Sequence, residues 1–267
     1  MNGSSVEKDK YYILKLSLIM AILILVLIVG YFIRLKRIDN ETVTPNPVTV
    51  SIKSSLSPTI KTTTKPTPVI LASTPVDLPD SFSIKNFPFQ TQAPDGNWDA
   101  LHEEACEEAS IILVDYFLKG QTLSVDLMNQ EIHKLVDWEA INYDGVVDVN
   151  VEMAGQMAQA NYGLNYKVIK NSSITELKTQ IAAGHPVIVP AAGRLLGNPN
   201  FRGIGPVYHM IVAIGYDQKN IIVQDIGTRN GNYYSYNQEI FDNAWHDWTG
   251  LPETVEQGAK NMLILSK

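Results

Sequence analysis

Apolar and polar positions change their spacing three times along this 267-residue chain. Residues 16–33 form an apolar run with no charge inside it. At 1.5 Å of rise per residue such a run reaches about 27 Å as a helix, close to the hydrocarbon thickness of a bilayer. Tyr11, Tyr12, Tyr31 and Phe32 stand near its two ends, where aromatic anchors sit. The run passes into Arg34 without a small-x-small cleavage site, so an uncleaved membrane helix is expected rather than a signal peptide.

All periodicity then stops. Residues 34–80 are rich in Thr, Ser and Pro, as in Lys61-Thr-Thr-Thr-Lys-Pro-Thr-Pro68, and such a tract cannot bury a core. It reads as a disordered linker, or stalk. Lys8, Lys10 and Lys15 before the apolar run nearly balance Arg34, Lys36 and Arg37 after it, so the basic flanks leave the orientation open. The stalk favours an extracytoplasmic C-terminal domain, with residues 1–15 as a short cytoplasmic tail.

Helical periodicity begins in the folded segment, residues 81–267. An extended stretch over 82–89 and a polar loop over 92–98 lead into a helix over 103–118 that stops near Gly120. Further helices are expected over 126–135, over 151–161 with Asn150 as N-cap, and from the capping box Ser173-Ile-Thr-Glu176 to Ala183-Gly184. The period then shifts to that of strands, over 165–170, 186–191, 209–214, 221–225 and 262–265, with a short helix at 238–245. Helices first and a mostly antiparallel sheet later is an α+β arrangement.

Composition narrows the function. The formal charge is −7 and no basic patch alternates with aromatics, so nucleic acid is not an expected partner. A single cysteine rules out a disulfide framework and a Cys-rich zinc site. His209, Asp217 and Asp225 show no ligand spacing on one shared face, so neither a metal nor another cofactor is expected. Nothing in the chain speaks to oligomeric state.

That cysteine, Cys106, lies in the opening of the 103–118 helix, where the helix dipole and free backbone N–H groups favour a thiolate. The competing reading is a buried cysteine acting as a small hydrophobe. Downstream, Asp217 is equidistant from His209 and Asp225. A hairpin turning there sets the imidazole and the carboxylate opposite one another on one face, and a one-residue slip separates them. Cys106 as nucleophile, His209 as base and Asp225 as the acid that orients it form a coherent set. The Cys106 N–H and a side-chain amide complete an oxyanion site. Gln92 is the candidate and Gln90 its local competitor. Four carboxylates surround the thiol, and any within about 6 Å raises its pKa. Glu103, one helical turn back, is the expected offender. His102 reads as a surface residue, His133 and His185 as structural, and His246 as packed among aromatics. The Gly- and Asn-rich loop over 194–208 is expected to wall a cleft.

The order Gln92, Cys106, His209, Asp225 resembles that of papain-like cysteine peptidases, in the bacterial branch related to double-glycine (bacteriocin-leader) peptidases. The resemblance rests on Phe87-Pro-Phe-Gln-Thr-Gln-Ala-Pro-Asp-Gly-Asn-Trp98, Glu104-Ala-Cys-Glu-Glu-Ala-Ser110, Gly184-His-Pro-Val-Ile-Val189, Tyr208-His-Met-Ile-Val212 and Asp225-Ile-Gly-Thr-Arg-Asn-Gly231. It implies a papain-like fold and a peptidase acting on peptide or protein substrates, with those four residues in the roles given above. Cys106-Glu-Glu stands where many members have Cys-Gly-Pro. Two other functions compete: a cell-wall peptide amidase of NlpC type, against which Asp225 argues, and a catalytically silent papain-like binding module.

Overall fold

The computed structural model describes residues 78–267. The tail over 1–15, the expected membrane helix over 16–33 and nearly all of the linker lie outside them. Among the described residues no helix is long and apolar enough to cross a membrane.

Seven antiparallel strands form one sheet: β1 (Phe82–Ser83), β2 (Asn165–Ile169), β3 (Val187–Ala192), β4 (Tyr208–Tyr216), β5 (Asn220–Gln224), β6 (Tyr234–Asn237) and β7 (Met262–Ser266). Their order is β2-β7-β3-β4-β5-β6, and β1 pairs with β4. Strand β4 is central, and every one of its residues is buried. Met210, Val212 and Ile214 face one core while Ile211 and Ala213 face the other, so its apolar run reads as continuous rather than alternating.

Helices cover both faces. On one side pack α1 (Ala100–Glu103), α2 (Cys106–Lys119), α3 (Val125–Asn142) and α4 (Val151–Tyr162). On the other pack α5 (Ile174–Ala182) and α6 (Gln238–Ala244), through Leu177, Ile181, Phe241 and Trp245. Side-chain caps fix most of the starts. Ser124, Asn150 and Ser173 each accept from a backbone N–H three residues on, which satisfies a first-turn donor. The mixed helix and antiparallel-sheet class is as expected.

Three elements depart from expectation. The helix expected over 103–118 is two: Asp99 caps α1, the chain breaks at Glu104-Ala105, and α2 restarts on Cys106 itself. Helix α3 runs well past 135, because its buried face of Met128, Ile132 and Leu135 continues through Glu139, an acid at an apolar position. Strand β6 comes from Tyr234-Ser-Tyr-Asn237, where the alternation of aromatic and polar residues is too short to stand out.

Candidate active site

The site lies where the first turn of α2 meets the start of β4. Cys106, the first residue of α2, is only 4% exposed. One turn along, Ser110 donates to the Met210 carbonyl oxygen at 3.2 Å and ties the helix to the strand. A cleft of about 390 Å³ opens there, with Cys106, His209 and Gln92 all in its wall. The loop expected to line it does so, contributing Phe201, Arg202, Pro206 and Val207. Glu103, Glu104 and Asp148 give the cleft an acidic side.

His209 Nε2 and Asp225 Oδ1 are 2.9 Å apart, and both residues are buried. The register that brings them together is not the one the sequence led us to expect. Val212 pairs with Gln224, and a bulge separates Ala213 from Gly215, so continuing the β4–β5 ladder sets His209 across from Gly227. Asp225 is thus displaced by two residues, an even number, and stays on the same face. Gly227 makes room for the ring, since a Cβ there would meet His209 Cε1 and Nε2 at 2.9 Å. Phe201 packs edge-on against the imidazole, with ring centroids 5.4 Å apart.

Asp225 is held from three further directions. Its Oδ2 accepts from Asn198 Nδ2 at 2.9 Å and from the Tyr236 hydroxyl at 2.5 Å, and its Oδ1 accepts from the Gly227 N–H at 3.1 Å. Burial works to raise this carboxyl. The charge of His209 and the hydrogen bonds from His209, Tyr236 and Asn198 outweigh it, and the group sits below the usual carboxylate range. With His209 Nε2 donating to Asp225, Nδ1 is the ring atom open to a proton from the cleft. Asn198 and Tyr236 escaped notice in the sequence. The only signal for them was the Gly197-Asn-Pro-Asn200 turn and the Tyr234-Ser-Tyr236 alternation.

The thiol has a different partner. Cys106 Sγ donates to Glu107 Oε2 at 2.9 Å, and Glu107 Oε1 accepts from the Val149 N–H at 3.1 Å. Burial pushes the thiol well above its ordinary value. The charge of Glu107, the hydrogen bond to it and the charge of Asp148 add to this, while the Met210 N–H acts the other way. Glu103, expected to be the perturbing acid, instead pairs with Arg202 at 2.5 Å on the exposed rim. Helical spacing misled here: the helix breaks at Glu104-Ala105, and the residue next in the chain, not the one a turn back, turns inward.

Gln92 lines the cleft and Gln90 does not, its amide donating to the Leu123 carbonyl oxygen instead. Gln92 Nε2 donates to the carbonyl oxygens of His102 and Glu103, each at 2.9 Å, and its Oε1 is buried without a partner. Both amide hydrogens therefore bind the C-terminal carbonyls of α1. The Cys106 N–H, at the first position of α2, has no intrahelical acceptor.

The remaining histidines stay outside the site. His102 is buried, not on the surface, and its ring bridges Asp99 Oδ1 and Asn129 Oδ1 at 2.8 Å each. The acid partner that its local sequence did not reveal is the N-cap of its own helix. His133 packs against it edge to face, with centroids 5.7 Å apart. His246 bonds the carbonyl oxygens of Gly258 and Asn243.

Several solved structures are similar to the chain. A candidate C39-like peptidase from Bacillus anthracis is 20% identical, over 71% of this chain and 98% of that one, with a TM-score of 0.49. A cysteine protease from Carica candamarcensis is 15% identical, over 71% and 99%, with a TM-score of 0.36. Xylellain, a cysteine protease from Xylella fastidiosa, is 14% identical, over 71% and 87%, with a TM-score of 0.30. No curated protein matches the chain. The model of the Peptidase_C39 like family matches residues 84–252, more than half of the chain and a span that holds Gln92, Cys106, His209 and Asp225, and the chain belongs to that family of thiol-dependent peptidases.

Proposed function

We propose that the protein is a membrane-anchored extracytoplasmic cysteine peptidase that hydrolyses peptide bonds through Cys106, His209 and Asp225. The observation that carries this reading is the shared cleft of Cys106 and His209, with His209 held on Asp225 and its Nδ1 left open. In the proposed reaction Nδ1 takes the thiol proton, and the sulfur attacks the substrate carbonyl carbon. The imidazolium then protonates the leaving amine, and water hydrolyses the thioester. Asp225 holds the ring orientation and balances the imidazolium. The Cys106 N–H is the first oxyanion donor. Gln92 supplies the second by exchanging the His102 or Glu103 carbonyl for the substrate oxygen.

The membrane tether rests on the uncharged run over 16–33, and the exterior placement on the Thr/Ser/Pro-rich stalk after it. The buried and fully bonded Asp225 favours this set over an NlpC-type amidase. The test is cleavage of a peptide library by the full chain. Products that vanish in Cys106→Ala and His209→Ala support the reading; an inert wild-type protein leaves the silent binding module in its place.

A further inference from the structure

The thiol–carboxyl contact has no part in the reaction above, yet it is the hydrogen bond the sulfur actually makes. Glu107 is 1% exposed and fixed at both oxygens, by the Val149 N–H on one and Cys106 Sγ on the other. The titratable groups around the pair are Glu108 on α2, Glu139 on α3, Asp148 before α4 and Tyr208 on β4, with Asp247 behind Tyr208, and in the cleft wall His209, Glu103, Glu104 and Arg202. The cation among them, Arg202, is already paired with Glu103 on the rim. Glu107 is itself pushed up by burial and then by the charges of Glu108 and Asp148, so the pair keeps a proton between sulfur and carboxylate and does not carry two negative charges. The opposing influence is the dipole at the start of α2, equivalent to about half an elementary charge. Burial of the thiol, with the acid at hydrogen-bond distance, outweighs it.

We propose that Glu107 is a positioning residue that holds the resting Cys106 sulfur as a neutral thiol, so that no thiolate–imidazolium pair forms until a bound peptide draws the sulfur off Oε2. The step balances simply. Rotation about the Cα–Cβ bond of Cys106 frees the S–H from Glu107, the S–H bond breaks, the electron pair stays on sulfur, and the proton forms an N–H bond at His209 Nδ1. Glu107 does not follow, because the Val149 N–H keeps its other oxygen in place. Between turnovers the nucleophile is therefore poorly reactive towards oxidants and alkylating agents.

This inference rests on the catalytic reading, but its test does not need turnover. Cys106 is the only cysteine, so the infrared S–H stretch of the full chain reports this one group. At pH 7 the band is expected to be present and lowered in frequency relative to a free thiol. Glu107→Gln supplies the second readout. Its carbonyl oxygen stays on the Val149 N–H and turns an N–H donor, not an acceptor, towards the sulfur. The midpoint of the pH profile for iodoacetamide labelling should then fall by at least about one unit, roughly tenfold faster labelling at pH 7. A wild-type protein with no S–H band at pH 7, or with one at the free-thiol position, overturns the proposal. So does a labelling midpoint that stays put or rises in Glu107→Gln. If that variant does not fold, the wild-type band alone decides. A shifted band in a protein that cleaves nothing would sink the peptidase reading and leave only the resting thiol–carboxyl contact standing.

Discussion

His209 and Asp225 are joined at 2.9 Å although the β4–β5 ladder leaves them two residues out of register. The pairing survives because Gly227, the residue that falls opposite the imidazole, has no side chain. Adding one is expected to displace the ring. Gly227→Ala should lower kcat by roughly tenfold to a hundredfold, since misplacement by about 1 Å at a reacting group costs that much. Steady-state kinetics with a melting curve on the same sample checks this. A full loss of folding would instead make the glycine a requirement of the sheet.

Asp225 is expected to act through His209. Removing its carboxyl in Asp225→Ala should reduce kcat by about 10² to 10⁴. Asp225→Asn keeps an oxygen for the ring N–H and should retain more activity than the alanine variant. Equal losses in the two, measured on a common peptide, would mean that the negative charge matters more than the orientation.

Glu103 and Glu107 flank the thiol at the same break between α1 and α2, but only one touches it. Glu103→Gln is expected to leave the labelling midpoint of Cys106 within about 0.3 units, because this exposed, screened carboxylate is already paired with Arg202. The pH profile of iodoacetamide labelling measures it. A shift as large as that expected for Glu107→Gln would return Glu103 to the role its spacing implied.

Stability should fall as pH rises through the weakly acidic range. Burial, then Glu104, raises Asp148 to about 6, and burial, then Glu108, raises Glu139 to about 11. Between the ordinary carboxylate values and these raised ones the folded state holds protons that the unfolded state has lost, so each step up in pH favours unfolding. The lowered carboxyl of Asp225 acts oppositely, adding stability above its ordinary value of 3.8 that is lost as pH falls through its lower folded value. Melting temperature should therefore decline by a few degrees from pH 5 to pH 8, and roughly half as steeply in Glu139→Gln. Calorimetry across that range tests the sign.

Much of this was legible in the chain because its signals are local. The caps at Asn150 and Ser173 and the apolar run of β4 follow from short spacings. Parity carried His209 and Asp225 to the same face even though the turn and the bulge were not foreseen. What stayed hidden depends on tertiary packing. The inward turn of Glu107 needs the Val149 backbone, 42 residues away, and the capture of Gln92 by α1 needs the helix break before Cys106. Tyr236 reaches Asp225 only because β6 closes the edge of the sheet beyond β5.

The most direct measurement is the mass of the enzyme caught in the act. The full chain mixed with a slowly deacylating peptide ester, quenched in acid and digested, should carry the acyl group on the peptide that contains Cys106. His209→Ala should carry none. Ester hydrolysis that continues in Cys106→Ala, or an acyl group found on any other residue, would contradict the account.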